Sequence, residues 1–170
     1  DQELSPAEIY ESIGKLQIVN ITLDRTMDDA QAIFESLNST GKELSESDLI
    51  RNYVLMGLEP TEQTYVYEHM WRPMELMFSY EMQDTLMDKF FRDYLTMKLT
   101  RIPKQGRVYD EFKLYHLNCE FSTIRELCQD LLTYAKYYTD IVFARSINPV
   151  LKGLYSDIND LRMEVSYPFL

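Results

Sequence analysis

One apolar stripe constrains this chain more than any other feature in it. Ile124, Leu127, Cys128, Leu131, Tyr134, Ala135, Tyr138, Ile141 and Val142 keep a 3-4-3 spacing through more than four helical turns. Thr123 and Glu126 stand where a capping box would open that helix. A stripe this long cannot be left in water, so other elements must cover it, and their patterns are helical too. Five glycines and six prolines are too few for the many tight turns of an all-β fold. The chain of 170 residues, 45% hydrophobic and 13% aromatic, has a globular composition and could bury on the order of 70% of its unfolded surface.

The other helix signals are local. Ser5-Pro6-Ala7-Glu8 places a serine cap, a proline at the first helical position and a glutamate three residues beyond the cap, and that helix should stop near Gly14. Thr26 with Asp29, and Ser45 with Asp48, mark two further starts. Pro60 should open a long helix to about Tyr80, kinked or split by Pro73, with Tyr65, Met70, Trp71, Met74 and Met77 at apolar positions. Asp84 should begin another, with Leu86, Phe90, Tyr94 and Met97 inward. Arg101 to Arg107, containing Pro103 and Gly106, reads as a loop, followed by a helix from Val108 to Asn118. Asn148-Pro149 predicts one more short helix and Asp157 a last one, leading through Leu161 and Val165 to Tyr167-Pro168-Phe169-Leu170.

One segment breaks the pattern. Leu16 to Leu23 is rich in Ile, Val and Thr and reads as a strand. A lone strand leaves backbone groups unpaired, so it needs a sheet from elsewhere in the chain, partners upstream, or a second copy in an edge-paired homodimer. The expected fold is therefore mainly α, a small α/β remnant over 1–58 followed by a multi-helix bundle over 59–170. The apolar end at Phe169-Leu170 reads as a boundary inside a larger helical domain.

The densest polar signal lies between the two expected helices around residue 40. Ala30, Ile33, Phe34 and Leu37 form one stripe, Asn38 to Gly41 ends it, and Ser45 opens the next helix. Asn38, Ser39, Thr40, Lys42, Asp48, Arg51 and Asn52 crowd this one turn, more polar equipment than a connection needs. Asn38 offers a donor and an acceptor, and the Ser39 and Thr40 hydroxyls with the Gly41 amide could line a small anion or sugar site beside Lys42. The plainer alternative is a capped helical hairpin in which Asn38 bonds its own backbone.

The run Phe34-Glu35-Ser36-Leu37-Asn38-Ser39-Thr40-Gly41-Lys42-Glu43-Leu44-Ser45, continuing through Asp48-Leu49-Ile50-Arg51-Asn52, resembles a segment of the GmrSD-type restriction endonuclease N-terminal family. Members of that family look like ParB/sulfiredoxin-related proteins of prokaryotic phage defence. The likeness is dense over 16–56 and looser through Tyr67-Glu68-His69-Met70-Trp71-Arg72-Pro73-Met74-Glu75, where the family often has Trp-x-Pro-x-Glu. The family's D-G-Q-Q-R nucleotide motif is missing from the chain and would lie upstream of residue 1. Its frequent His-Asn-His nuclease module is missing as well.

The resemblance implies that residues 1–58 are the C-terminal part of a nucleotide domain and that the chain is an internal piece joining it to a nuclease domain. It carries Asn38, Thr40, Gly41 and Lys42 over as pocket lining, with Asp48, Arg51 and Asn52 in support. GTP or ATP would be the parent's cofactor, with none held by this piece alone. The parent's other domains and DNA would be its partners. The rival reading is a non-enzymatic helical interaction module.

Net charge is −11, which argues against a surface that coats nucleic acid. Residues 89–107 nevertheless hold Lys89, Arg92, Lys98, Arg101, Lys104 and Arg107 against Asp93 alone. They are candidate DNA phosphate contacts or, more plainly, a solvated helix end. His69 and His116 are far apart, and Cys119 and Cys128 suit free thiols in a reducing cytoplasm, so no metal site or disulfide is expected. Asp24, Asp28 and Asp29 fit a helix start better than a cation site. With no Walker loop and no G-x-S-x-G elbow, no catalytic residue can be named. No apolar run is long enough to cross a membrane.

Overall fold

The computed structural model describes residues 5–17, 33, 36, 44–78 and 83–170. Helix α1 (Pro6–Gly14) begins with the expected reciprocal cap. Ser5 Oγ accepts from the Glu8 amide at 3.3 Å, and Glu8 Oε2 accepts from the Ser5 amide at 2.8 Å. This helix buries none of its residues. Beyond Gln17 the strand expected over Leu16–Leu23 lies outside the described residues, as does the turn at 38–42, and of the helix expected from Thr26 only Ile33 and Ser36 are described, both helical. Among the described residues the fold is mainly α, with no strand.

Helix α2 (Glu46–Met56) starts at Ser45, whose Oγ accepts from the Asp48 amide at 3.1 Å. Its N-terminus is also held from outside, because Asp88 Oδ1 accepts from the Ser47 amide at 2.7 Å. Pro60 opens α3 (Pro60–Val66), which runs without interruption into a π turn (Tyr67–Trp71) and α4 (Arg72–Met77). The split anticipated at Pro73 takes this form. Proline has no amide to give, and the wider turn closes instead with the Arg72 amide on the Tyr67 carbonyl. The extra residue brings Val66, Met70, Trp71 and Met74 onto one buried face.

Helix α5 (Gln83–Leu99) buries Leu86, Met87, Phe90, Phe91, Tyr94 and Leu95. It ends at Thr100, whose φ of 54° is left-handed. After the expected loop come α6 (Val108–Asn118) and α7 (Ile124–Val142), the latter capped by Thr123 Oγ1 on the Glu126 amide at 3.2 Å. Helix α6 has no cap of its own. Glu46 of α2 supplies one, its Oε2 accepting from the Tyr109 amide at 2.6 Å. The stripe of α7 is buried as its spacing required, with Leu127, Leu131 and Ala135 fully enclosed.

Asn148 caps α8 (Pro149–Asp160), and a 3-10 helix (Glu164–Phe169) follows. The sequence expectation that Asp157 starts a helix is corrected here, because Asp157 lies inside α8. The spacing of Leu151, Leu154 and Ile158 carries the helix straight past it.

The core is aromatic. Trp71 stacks on Phe91 at 5.9 Å, Phe91 meets Phe112 edge-on, and Phe90 touches Phe78, Tyr94 and Tyr138. Helix α2, on the N-terminal side of residue 58, contributes Ile50 and Val54 to this same cluster. Replacing the fully buried Leu131 with Ala should cost about 2–5 kcal/mol in urea unfolding. Leu117→Ala, at a side chain 74% exposed, should stay within about 0.5 kcal/mol. Equal losses at the two positions would contradict this core.

Candidate functional site

Of the pocket residues expected from the sequence, Asn38, Thr40, Gly41 and Lys42 lie outside the described residues, and the three supporting residues lie on α2. Asp48 and Arg51 do pair, Oδ1 to Nη2 at 2.9 Å. Arg51 Nη1 also reaches Glu75 Oε1 on α4 at 3.3 Å, and the same oxygen accepts from the Trp71 indole N–H at 2.8 Å. Ser45 Oγ donates to Asp48 Oδ2 at 2.8 Å, which closes the chain of bonds at its N-terminal end. Asn52 is half-buried next to Arg51. The group is a polar seam between α2 and α4, with its charges turned on one another.

The basic segment is less free than its composition suggests. Lys89 pairs with Glu164 at 2.8 Å, and the Arg92 side chain donates to the Pro103 carbonyl at 3.2 Å. Lys98 lies 2.9 Å from Asp130 and above the Tyr134 ring at 4.5 Å. Burial works against the Lys98 ammonium, but the Asp130 carboxylate outweighs it and raises the pKa. Arg101 grips Glu111 with both terminal nitrogens, and the Arg101 hydrogen bond holds the Glu111 carboxyl below its ordinary value. Arg107 reaches Asp110 at 3.4 Å, and Lys104 is exposed in the loop between Arg101 and Arg107. Arg101, Lys104 and Arg107 form an exposed rim around the loop, and Lys89 is exposed beside Glu164.

The histidines and cysteines have structural surroundings. His69 is exposed and stacked on Tyr65 at 4.5 Å, and His116 takes a hydrogen bond with the Tyr53 hydroxyl through Nδ1 at 2.9 Å. Burial pushes the free Cys128 thiol up to about 12, so it is no nucleophile at neutral pH. Among the described residues no group of acids, histidines and cysteines could hold a metal ion.

The sequence reading missed a cleft. It lies between α5, α7, α8 and the 3-10 helix, with a volume of about 480 Å³. Tyr94, Tyr134, Tyr137, Tyr138, Tyr155 and Tyr167 line it, and Asp93 and Asp140 are its carboxylates. Burial, reinforced by the charge of Glu164, raises Asp93 to about 6 against the opposing pull of Arg92 and Lys89. A signal for this existed in the sequence. Phe90, Asp93, Tyr94 and Met97 stand at i, i+3, i+4 and i+7, so an acid occupies an apolar stripe.

With this geometry in place, the comparisons locate the chain's N-terminal third. Residues 1–55 match the family model of the GmrSD restriction endonuclease, N-terminal domain. No curated protein and no solved structure matches the chain. The GmrSD-like stretch therefore ends inside α2, one residue before its last. The polar seam belongs to both sides of that limit, with Asp48 and Arg51 in the matched stretch and Trp71 and Glu75 beyond it. Among the described residues no helix is long and apolar enough to cross a membrane.

The Asp93 environment has a measurable consequence. The folded state holds this proton more tightly than the unfolded chain does. Its contribution to stability is thus complete below the ordinary carboxylate value of 3.8 and lost as pH rises through about 6. Asp93→Asn should gain thermal stability relative to the unsubstituted chain as pH is raised from about 4 to about 7. A difference in Tm that stays flat across that window would show that Asp93 titrates normally.

Proposed function

We propose that this chain serves a GmrSD-type, nucleotide-dependent restriction endonuclease of phage defence in the cytoplasm. It would connect the ParB-like nucleotide domain of that enzyme to its nuclease domain. The observation that carries the reading is the seam at α2. This helix closes the family-matched stretch, yet Asp88 caps its first turn, Glu46 caps α6, and Arg51 reaches Glu75. Hydrogen bonds to carboxylates are among the stronger ones, so α2 is suited to move with the helical body rather than apart from it. In this reading residues 1–58 are the C-terminal part of the nucleotide domain, and Asn38, Thr40, Gly41 and Lys42 line its GTP or ATP pocket. Residues 59–170 relay the nucleotide state toward the cutting domain, while Asp48, Arg51 and Asn52 brace the junction.

DNA contact falls to the exposed rim at Arg101, Lys104 and Arg107, where a phosphate would compete with Glu111 for Arg101 and with Asp110 for Arg107, while Arg92 and Lys98 are half-buried against Pro103 and Asp130. A second reading, a non-enzymatic interaction module acting as a homodimer or with another protein, is favoured by Val150, Leu151 and Leu154, which stand exposed along α8.

The encoding open reading frame separates the two. A D-G-Q-Q-R motif before residue 1 and a His-rich nuclease motif after residue 170 are expected, and a frame coding for neither overturns the enzymatic reading. Titration of a short duplex should show weak binding at low salt that weakens as salt rises. Three phosphate contacts would give a log–log slope of about −3. No binding at low salt would remove the DNA contact from this chain.

A further inference from the structure

The cleft between α5, α7, α8 and the 3-10 helix has no role in the reading above. Tyrosines and other apolar side chains make its walls, and among the described residues its acidic lining side chains are Asp93 and Asp140. Among the described residues no basic side chain lines it. Among the described residues no hydrogen bond or ion pair holds either carboxylate. Two hydroxyls of the wall are already engaged, Tyr94 donating to Asp130 at 2.7 Å and Tyr167 to Asn159 at 2.7 Å. Tyr94 and Tyr138 are nearly fully buried, so the ring surface offered to the cleft comes from the exposed Tyr137 and the half-buried Tyr134, Tyr155 and Tyr167.

Two of the same rings already hold a cation. The Lys98 ammonium sits 4.5 Å from the Tyr134 centroid and 5.3 Å from that of Tyr94, with Asp130 as its counter-ion. An ammonium among aromatic rings with one carboxylate nearby is thus an arrangement this fold builds internally, next to the cleft. A volume of about 480 Å³ is within the ordinary range for small-molecule sites.

We propose that this cleft binds a methylated ammonium group, with the tyrosine rings contacting its methyl surface and Asp93 and Asp140 balancing its charge. A quaternary ion needs no hydrogen-bond acceptors and gives up little hydration, which suits walls of ring faces. An anionic ligand would meet two carboxylates here. Binding of such a group here requires neither nucleotide binding nor DNA cleavage by the proposed enzyme.

The test is ligand-observed NMR on the intact chain with three probes. These are choline, its neutral isostere 3,3-dimethylbutan-1-ol, and a short peptide carrying trimethyllysine. Choline or the peptide should bind saturably, and the tighter of the two shows whether the group arrives free or on a polypeptide. The neutral isostere should bind at least about tenfold more weakly than choline. Asp93→Asn combined with Asp140→Asn should abolish that preference. Tyr137→Leu, at an exposed ring that need not disturb the core, should weaken cation binding several-fold while the fold persists by circular dichroism. Equal binding of the isostere, an unchanged preference in the double variant, or no saturable binding of either cation would overturn the proposal.

Discussion

Trp71 is nearly fully buried, and burying an indole requires that its N–H find an acceptor. Glu75 provides it from one turn further along the helix at 2.8 Å. That solution brings a carboxylate to the edge of the core, where a negative charge is costly unless it is paired. Arg51 answers the charge from α2, and Asp48 holds Arg51 in turn. One buried ring thus fixes which residues stand where α2 meets α4. The π turn belongs to the same solution. It gives Pro73 a place in a continuous helical path and keeps Trp71 on the inward face with Val66, Met70 and Met74.

The electrostatics of the body follow a related rule. A chain of net charge −11 has carboxylates to spare, and several are spent on groups that a helical fold leaves open. Asp88 and Glu46 accept from amides at the first turns of helices not their own. Glu164, Asp130, Glu111 and Asp110 take the cations of the 89–107 segment. The cleft departs from this economy. Asp93 and Asp140 stay without such a partner there, and burial raises the pKa of Asp93. A fold that pairs its half-buried acids elsewhere makes the two it does not pair more telling.

How far the sequence could be read depends on the range of each interaction. Ser5, Ser45, Thr123 and Asn148-Pro149 cap helices through bonds to residues two or three positions away, so their signals survive in the linear chain. The α7 stripe was legible because its period alone defines its buried face. The composition of 89–107 misled in part, since Lys89 meets Glu164 and Lys98 meets Asp130 across long stretches of sequence. Asp157 misled because an aspartate can cap a helix or sit within one, and the apolar spacing on either side decides. The ends of α5, α7 and α8 carry no glycine signal. Thr100, Ala144 and Arg162 take the left-handed conformation there, and at α7 and α8 local backbone bonds close the turn, the Arg145 amide on the Asp140 carbonyl and the Met163 amide on the Ile158 carbonyl. The expected nucleotide-pocket lining lies outside the described residues, and only its brace on α2 can be compared with the fold.

That brace bears on how the two halves of the proposed enzyme could communicate. Apolar contacts are non-directional, so they define the position of a helix less sharply than hydrogen bonds do. The N-terminus of α2 is pinned by directional bonds instead, with the Ser47 amide on Asp88 and Glu46 on the Tyr109 amide. A displacement entering at residue 44 must therefore break those bonds or carry α5 and α6 with it. Both helices meet Phe91 and Phe112 in the core, and α5 continues to Asp93 and the Arg101 loop. In the proposed enzyme, a nucleotide-driven shift before α2 would move the cleft and the basic rim together, so coupling would follow from rigidity and would need no dedicated hinge.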